Sequence, residues 1–346
     1  VHELAGRMAD EDLQEFRKRM RGQPTETQRL DTSHRWHGLL ACPDRSEKVA
    51  SKRIREEKLQ GDVVAESVIL EHEGFAVPLL KLTPTSKEGG GLVIAIAQEG
   101  KAAFLKYRSD VIARLLADGV TVLLPDLPGC GEGADTGVGR GRTSGSTSYS
   151  ATAQMIGRTL LGLRLQGLGM VVTHLANVGE GKVSITLWGE SFAPTNSADS
   201  RHRVPHDADK MPHQAEPTGP MLALLGGATF QTPILIHSVY MRGGLISFRS
   251  LLDSQFVYVP HDIVIPRELL AGDLDDLATA YLNRKGTRLA IEAPVDGLNR
   301  AVGQDAINRA YALTTKAASK DAARLRLSAE PSSPAELAAW LRGASK

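Results

Sequence analysis

Five short apolar runs, at residues 92–97, 120–124, 183–188, 234–240 and 289–293, recur along the chain with stretches of helical composition between them. Strands that alternate with helices define a parallel sheet covered on both faces, and a run such as 92–97 reads as a fully buried strand. The intervening helices are expected at 101–118, where Gly119 closes the helix, at 151–176, from Met221 onward, at 269–282 and at 305–318. A last short strand at 325–328 and a last helix at 334–342 complete the order. The fold class expected is α/β, with a mostly parallel, doubly wound sheet and helices on both faces.

The amino-terminal part has a different character. Residues 63–70 and 75–82, divided by Glu71, His72, Glu73 and Gly74, read as a β-hairpin with the turn supplied by glycine. The first 60 residues are polar, and Leu13, Phe16 and Met20 are spaced for one helical face. The basic runs Arg17-Lys18-Arg19 with Arg21, and Lys52-Arg53-Ile54-Arg55, alternate with acids and read as solvated helical faces. The domain reading is therefore a helical extension at 1–60 and an α/β domain at 61–346, with a polar insertion or cap at 199–220.

Charge excludes some functions. Net charge is +1 from 41 basic and 40 acidic residues, so there is no track for nucleic acid. Cys42 and Cys130 are too few for a disulfide framework and do not form a Cys-x-x-Cys pair. No apolar run reaches the length of a membrane span. The sequence starts at valine without a charged-then-apolar leader, which leaves localisation open; a secreted or periplasmic protein is the expectation and a cytoplasmic one the alternative.

The chemistry centres on Gly189-Glu190-Ser191-Phe192-Ala193, directly after the run at 183–188. A serine presented on a tight strand-to-helix turn needs small neighbours two residues away on either side, and Gly189 and Ala193 meet that need. With this pentapeptide go Asp126-Leu127-Pro128-Gly129-Cys130-Gly131, after the preceding strand, and Val295-Asp296-Gly297, after a later one. Together they resemble the α/β-hydrolase family over residues 63–342, and the tract 158–168 followed by the serine strand is most similar to bacterial acetylxylan-esterase-like serine esterases. The resemblance implies a serine carboxylic-ester hydrolase working through an acyl-enzyme on a small-molecule or polysaccharide ester, with acetyl as the acyl group. It implies no metal or organic cofactor, and no nucleic-acid or membrane partner.

A serine hydroxyl needs a base, and the base needs a carboxylate to fix its tautomer. Members of the family carry the histidine after the last strand, yet no histidine follows His261 in this chain. His261 is therefore the expected base and Asp296 the expected orienting acid, each following a strand beside the serine strand, with Asp262 as a rival acid. The oxyanion would be held by the Phe192 N–H and by Gln98 or Glu99 after the strand at 92–97. The missing late histidine supports an alternative, an inactive hydrolase-fold module that binds carbohydrate or a partner domain.

Other signals are weaker. Gly129, Gly131 and Gly133 suggest a nucleotide turn, but no helix start follows them. His202, His206 and His213 have spacings that suggest zinc, but Pro205 argues against a shared helical turn. Trp188, Phe248, Phe256 and Tyr258 are candidates to line an acyl or sugar pocket.

Overall fold

The computed structural model describes residues 1–42, 48–85, 90–134, 146–178, 184–198, 212–230 and 236–343. Its first helix, α1 (His2–Met20), buries Gly6, Ala9, Leu13, Phe16 and Met20, a stripe at three- and four-residue spacing. The second, α2 (Thr25–Leu40), sinks Trp36 against Phe248 with ring centroids 5.9 Å apart. Ser33 Oγ donates to Ala228 O at 2.9 Å, and Arg17 pairs with Asp276 at 2.9 Å, so these helices dock on the later part of the chain.

The basic run at 52–55 is not helical: it lies in a strand, β1 (Ala50–Leu59), exposed at every residue. It pairs antiparallel with β2 (Val63–His72), which pairs with β3 (Phe75–Pro84) through the expected hairpin. Glu73 and Gly74 have φ of 46° and 82°, the left-handed geometry a two-residue hairpin turn requires. The charges that imitate a helix face are suited to an open sheet edge, where they discourage pairing with another chain.

The sheet continues through β4 (Leu92–Ile96), β5 (Thr121–Pro125), β6 (Ile185–Glu190), β7 (Ile236–Arg242), β8 (Arg288–Glu292) and β9 (Leu325–Ser328). Its order is β1-β2-β3-β5-β4-β6-β7-β8-β9. Contacts from β5 to β9 are parallel, and those joining β1, β2, β3 and β5 are antiparallel. Along β4, Leu92, Ile94 and Ile96 join one buried cluster while Val93 and Ala95 join the other, so the strand is covered on both faces.

Several expected single helices are broken where local chemistry demands it. The segment 101–118 divides at Arg108 into α3 (Lys101–Tyr107) and α4 (Ser109–Ala117). The segment 151–176 becomes α5 (Ser146–Met155) and α6 (Leu160–Asn177), because Gly157 turns at φ 73° and the Thr159 hydroxyl caps α6 by accepting from Gly162 N. Next comes α7 (Thr218–Thr229), buried throughout. Its successor α8 (Leu274–Leu282) starts late because Asp273 and Asp276 form a capping box. The helices α9 (Gln304–Ala310), α10 (Ala312–Ala317) and α11 (Pro334–Arg342) end the fold. No helix among the described residues is long and apolar enough to cross a membrane.

Two glycines set how closely α7 approaches the sheet. A Cβ on Gly219 would lie 2.2 Å from Ile96 O, and one on Gly189 would lie 2.3 Å from Gly219 O. Both obstacles are backbone atoms, which cannot rotate away. Gly219→Ala is expected to destabilise the protein by about 1–3 kcal/mol through overpacking; a denaturant midpoint equal to wild type would contradict this.

Candidate active site

In the sheet, β5 lies on one side of β4 and β6 on the other, so the carboxyl ends of β4 and β6 flank the point where the winding reverses. Open α/β sheets bind ligands at such a point. Gln98 and Glu99 follow β4 there, and Ser191 follows β6. Ser191 N donates to Arg242 O at 2.9 Å, extending the ladder, and Ser191 Oγ accepts from Ala193 N at 3.3 Å. The Ser191 side chain is half-buried, and its hydroxyl proton has no acceptor among the described residues.

The tight strand-to-helix turn expected at Ser191 does not form. Ser191 is absent from the residues with positive φ, and the next described helix is α7. Pro194 accounts for this locally: a residue before proline is disfavoured in helical backbone, and proline itself offers no N–H to a helix. α7 packs on β6 nonetheless, through Gly189 and Gly219.

The other expected triad members are held elsewhere. His261 opens a 3-10 turn, His261–Ile263, with Nδ1 3.1 Å from Ser150 Oγ, whose hydroxyl donates to His261 O at 3.0 Å. Ser150 is fully buried in α5, so this pair fastens α5 to the turn. Asp296 accepts from Leu298 N and Arg300 N at 2.9 Å each and from Arg300 Nε at 2.8 Å, which fixes its own loop. Ser191, His261 and Asp296 are thus not hydrogen-bonded to one another. The rival acid Asp262 is fully buried and pairs with equally buried Arg164 at 2.8 Å. His202 and His206 lie outside the described residues, and His213 is exposed. Among the described residues no group of three histidine, cysteine or acidic side chains could hold a metal.

The sequence reading missed Glu216, which it left inside the polar insertion. This residue stands just before α7, and the Phe192 N–H, the expected oxyanion donor, favours its charged form. Its Oε2 is buried with no hydrogen-bond partner among the described residues. Burial above all, with the Glu99 charge next, pushes the Glu216 carboxyl up to about 7, against the opposing effect of the Phe192 N–H. Beside it, Thr218 Oγ1 donates to Gln98 Oε1 at 2.9 Å and accepts from Arg164 at 3.2 Å. Gln98, Arg164, Thr218, Glu216 and Asp262 form a polar floor under the rim. The one signal in the sequence is position: Glu216-Pro217-Thr218 directly precedes an apolar helix, where carboxylates and hydroxyls satisfy free N–H groups.

Aromatic residues at the rim also differ from expectation. Trp188 is fully buried edge-on to Phe104, and Phe248 is core. The accessible pair is Tyr107 stacked on Phe192, with centroids 5.3 Å apart and planes 27° apart, and the Arg108 guanidinium 5.3 Å from the Phe192 ring. Glu190, fully buried, draws in Arg108 and Arg242 and accepts from Trp188 Nε1 at 3.1 Å. The glycine-rich turn after β5 closes on a carboxylate: Asp126 accepts from Lys101 N at 2.8 Å and Glu132 N at 3.1 Å. A Cβ on Gly131 would lie 2.2 Å from Asp126 Oδ1, so that glycine serves the close approach of protein to protein.

Strand order, the switch-point rim and the antiparallel leading strands are those of the α/β-hydrolase fold. Among solved structures the chain is similar to a Bacteroides fragilis protein provisionally described as an acetyl xylan esterase, with TM-score 0.59 and 13% identity over 91% of this chain and 75% of that one. It is also similar to a methylesterase, with TM-score 0.53 and 14% identity over 91% of this chain, which spans 62% of that protein, less than two thirds of it. A third is a promiscuous CE15 esterase from a marine bacterial metagenome, with TM-score 0.52 and 10% identity over 91% of this chain and 89% of that one. No family model matches the sequence, and no curated protein does.

Proposed function

We propose that the protein hydrolyses a carboxylic ester at the carboxyl rim of the sheet, with Ser191 as the attacking group. The observation that carries this is Ser191 itself, half-buried at the end of a central strand, beside the switch point, with an uncommitted hydroxyl proton. Ester hydrolysis is also the activity named for the three similar structures, a support at the level of fold analogy. Ser191 Oγ would attack the ester carbonyl to form an acyl-enzyme that water then cleaves. The backbone after β4 at Gln98 and Glu99 would face the oxyanion, joined by the Phe192 N–H. His261 and Asp296 would serve as base and orienting acid only by leaving Ser150 and Arg300. The substrate class is a small acyl ester, with acetyl on a carbohydrate as the leading case; Tyr107 and Phe192 offer a platform for one sugar ring.

Treatment with a fluorophosphonate probe, followed by peptide mass spectrometry, tests this directly: Ser191 is expected to carry the label. Folded protein with Ser191 unlabelled would end the esterase reading. One observation favours a second reading, a module without turnover that binds carbohydrate or a partner domain. No histidine among the described residues is hydrogen-bonded to Ser191, and His261 is held by Ser150. Absence of labelling together with retained oligosaccharide binding would select that reading.

A further inference from the structure

We infer that the outer edge of β1 pairs antiparallel with β1 of a second copy of this chain, joining two nine-stranded sheets into one. The inference is independent of the ester-hydrolase reading. β1 is the first strand of the sheet, and all ten of its residues are exposed. One side of it bonds to β2, and among the described residues no backbone group meets the other side. Such an edge offers about 33 Å of free N–H and C=O groups.

Charge decides which chain can use it. Lys52, Arg53 and Arg55 come first along β1, and Glu56 and Glu57 follow. An edge of this kind repels chains at large and still admits one that presents the opposite order of signs. β1 running antiparallel to itself is that chain. Lys52 then faces Glu57 of the second copy and Arg53 faces Glu56 of the second copy, and two-fold symmetry makes each pair twice. A parallel, in-register pairing sets like charges side by side along the whole edge.

The bulge in β1 makes the favourable register available. In an antiparallel ladder, alternate residues turn their N–H and C=O to the same side. A regular strand paired with itself about a two-fold axis therefore matches residues an even number apart. The two central registers of that kind put Arg53 opposite Arg55, or Lys52 opposite Lys58, which repel. In β1, however, Arg53 pairs with Val68 and Arg55 with the next residue of β2, Ser67, leaving Ile54 extra. That one residue reverses which positions face outward beyond it. Lys52 and Glu57 then face the same way, as do Arg53 and Glu56, so the register that matches opposite charges also aligns the backbone groups. Ile54, 54% exposed, meets the aliphatic stem of Arg55 across the axis. In the single chain Arg53 pairs with Glu56 and Glu66, and Arg55 with Glu57. These exposed pairs are worth little, so their exchange costs little and the new backbone bonds supply the gain.

A strand edge presents less than the about 800 Å² per partner of a standard interface, so the dimer is expected to dissociate on dilution and, being charge-matched, with added salt. Sedimentation velocity on the full chain at low salt reads this as a mass that rises from one chain toward two with concentration. Lys52→Glu with Arg53→Glu leaves an acidic edge, and Glu56→Lys with Glu57→Lys a basic one. Each double variant is expected to unfold at the wild-type denaturant midpoint and to weaken self-association by about tenfold or more, while an equimolar mixture of the two regains the dimer. Hydrogen exchange on wild type gives a second reading, with β1 amides better protected at high concentration than at low. A wild type that stays monomeric, double variants that dimerise as tightly as wild type, or a mixture without dimer overturns the inference. So does protection of β1 that does not change with concentration.

Discussion

Asp262→Ala is expected to lower the stability of the protein by about 3–5 kcal/mol, the usual loss when one partner of a buried ion pair is removed. Both side chains of the Arg164–Asp262 pair have 0% exposure, so the guanidinium left behind cannot regain water without local unfolding. Arg164 also donates to Pro128 O at 3.2 Å and to Thr218 Oγ1 at 3.2 Å, tying α6 to the loop after β5 and to the start of α7. Removing both charges at once, in Arg164→Met with Asp262→Leu, is expected to recover much of the loss, since the desolvation cost disappears with the pair. Denaturant melts of the single and double variants measure this; a single-variant loss below about 1 kcal/mol would show that the pair is not desolvated. In an active variant such as Asp262→Asn, one negative charge facing Glu216 is gone. The Glu216 carboxyl should then titrate at lower pH, because its charged form is repelled less, a shift that carboxyl-carbon NMR would read.

Ser191→Ala is expected to reduce kcat for an acetyl ester by about 10³-fold or more, because without the nucleophile only binding and oxyanion contacts remain. Stability is expected to change by less than about 0.5 kcal/mol. The lost hydroxyl makes a single 3.3 Å contact with Ala193 N and leaves no buried group stranded. The pairing of a large kinetic effect with an unchanged melt distinguishes a chemical role from a structural one. Turnover within about threefold of wild type would place the reaction elsewhere.

The core of the sheet was legible because its strands are continuous apolar runs: 92–97 and 289–293 fall within one residue of β4 and β8 at each end. Ala50–Leu59 was not, since an edge strand buries nothing and charged residues stand on both its faces. Helix breaks at Arg108 and Gly157 depend on single residues that periodicity averages away. The same limit applied to the site. Ser191 announced itself by following an apolar strand, but the partners of His261 and Asp296 depend on which elements dock beside them, and those are Ser150 on α5 and Arg300 in the same loop. Glu216 was hidden by its polar neighbours, although a carboxylate before an apolar helix is a physical signal.

The backbone-to-backbone fit of Gly189 against Gly219 has a consequence for how such a protein can diversify. α7 is seated on β6 by direct contact and not by a short link in the chain. The connection from strand to helix is therefore free to change in length and composition while the junction keeps its register. Changes in that connection would leave the sheet below and its contact with α7 unaltered.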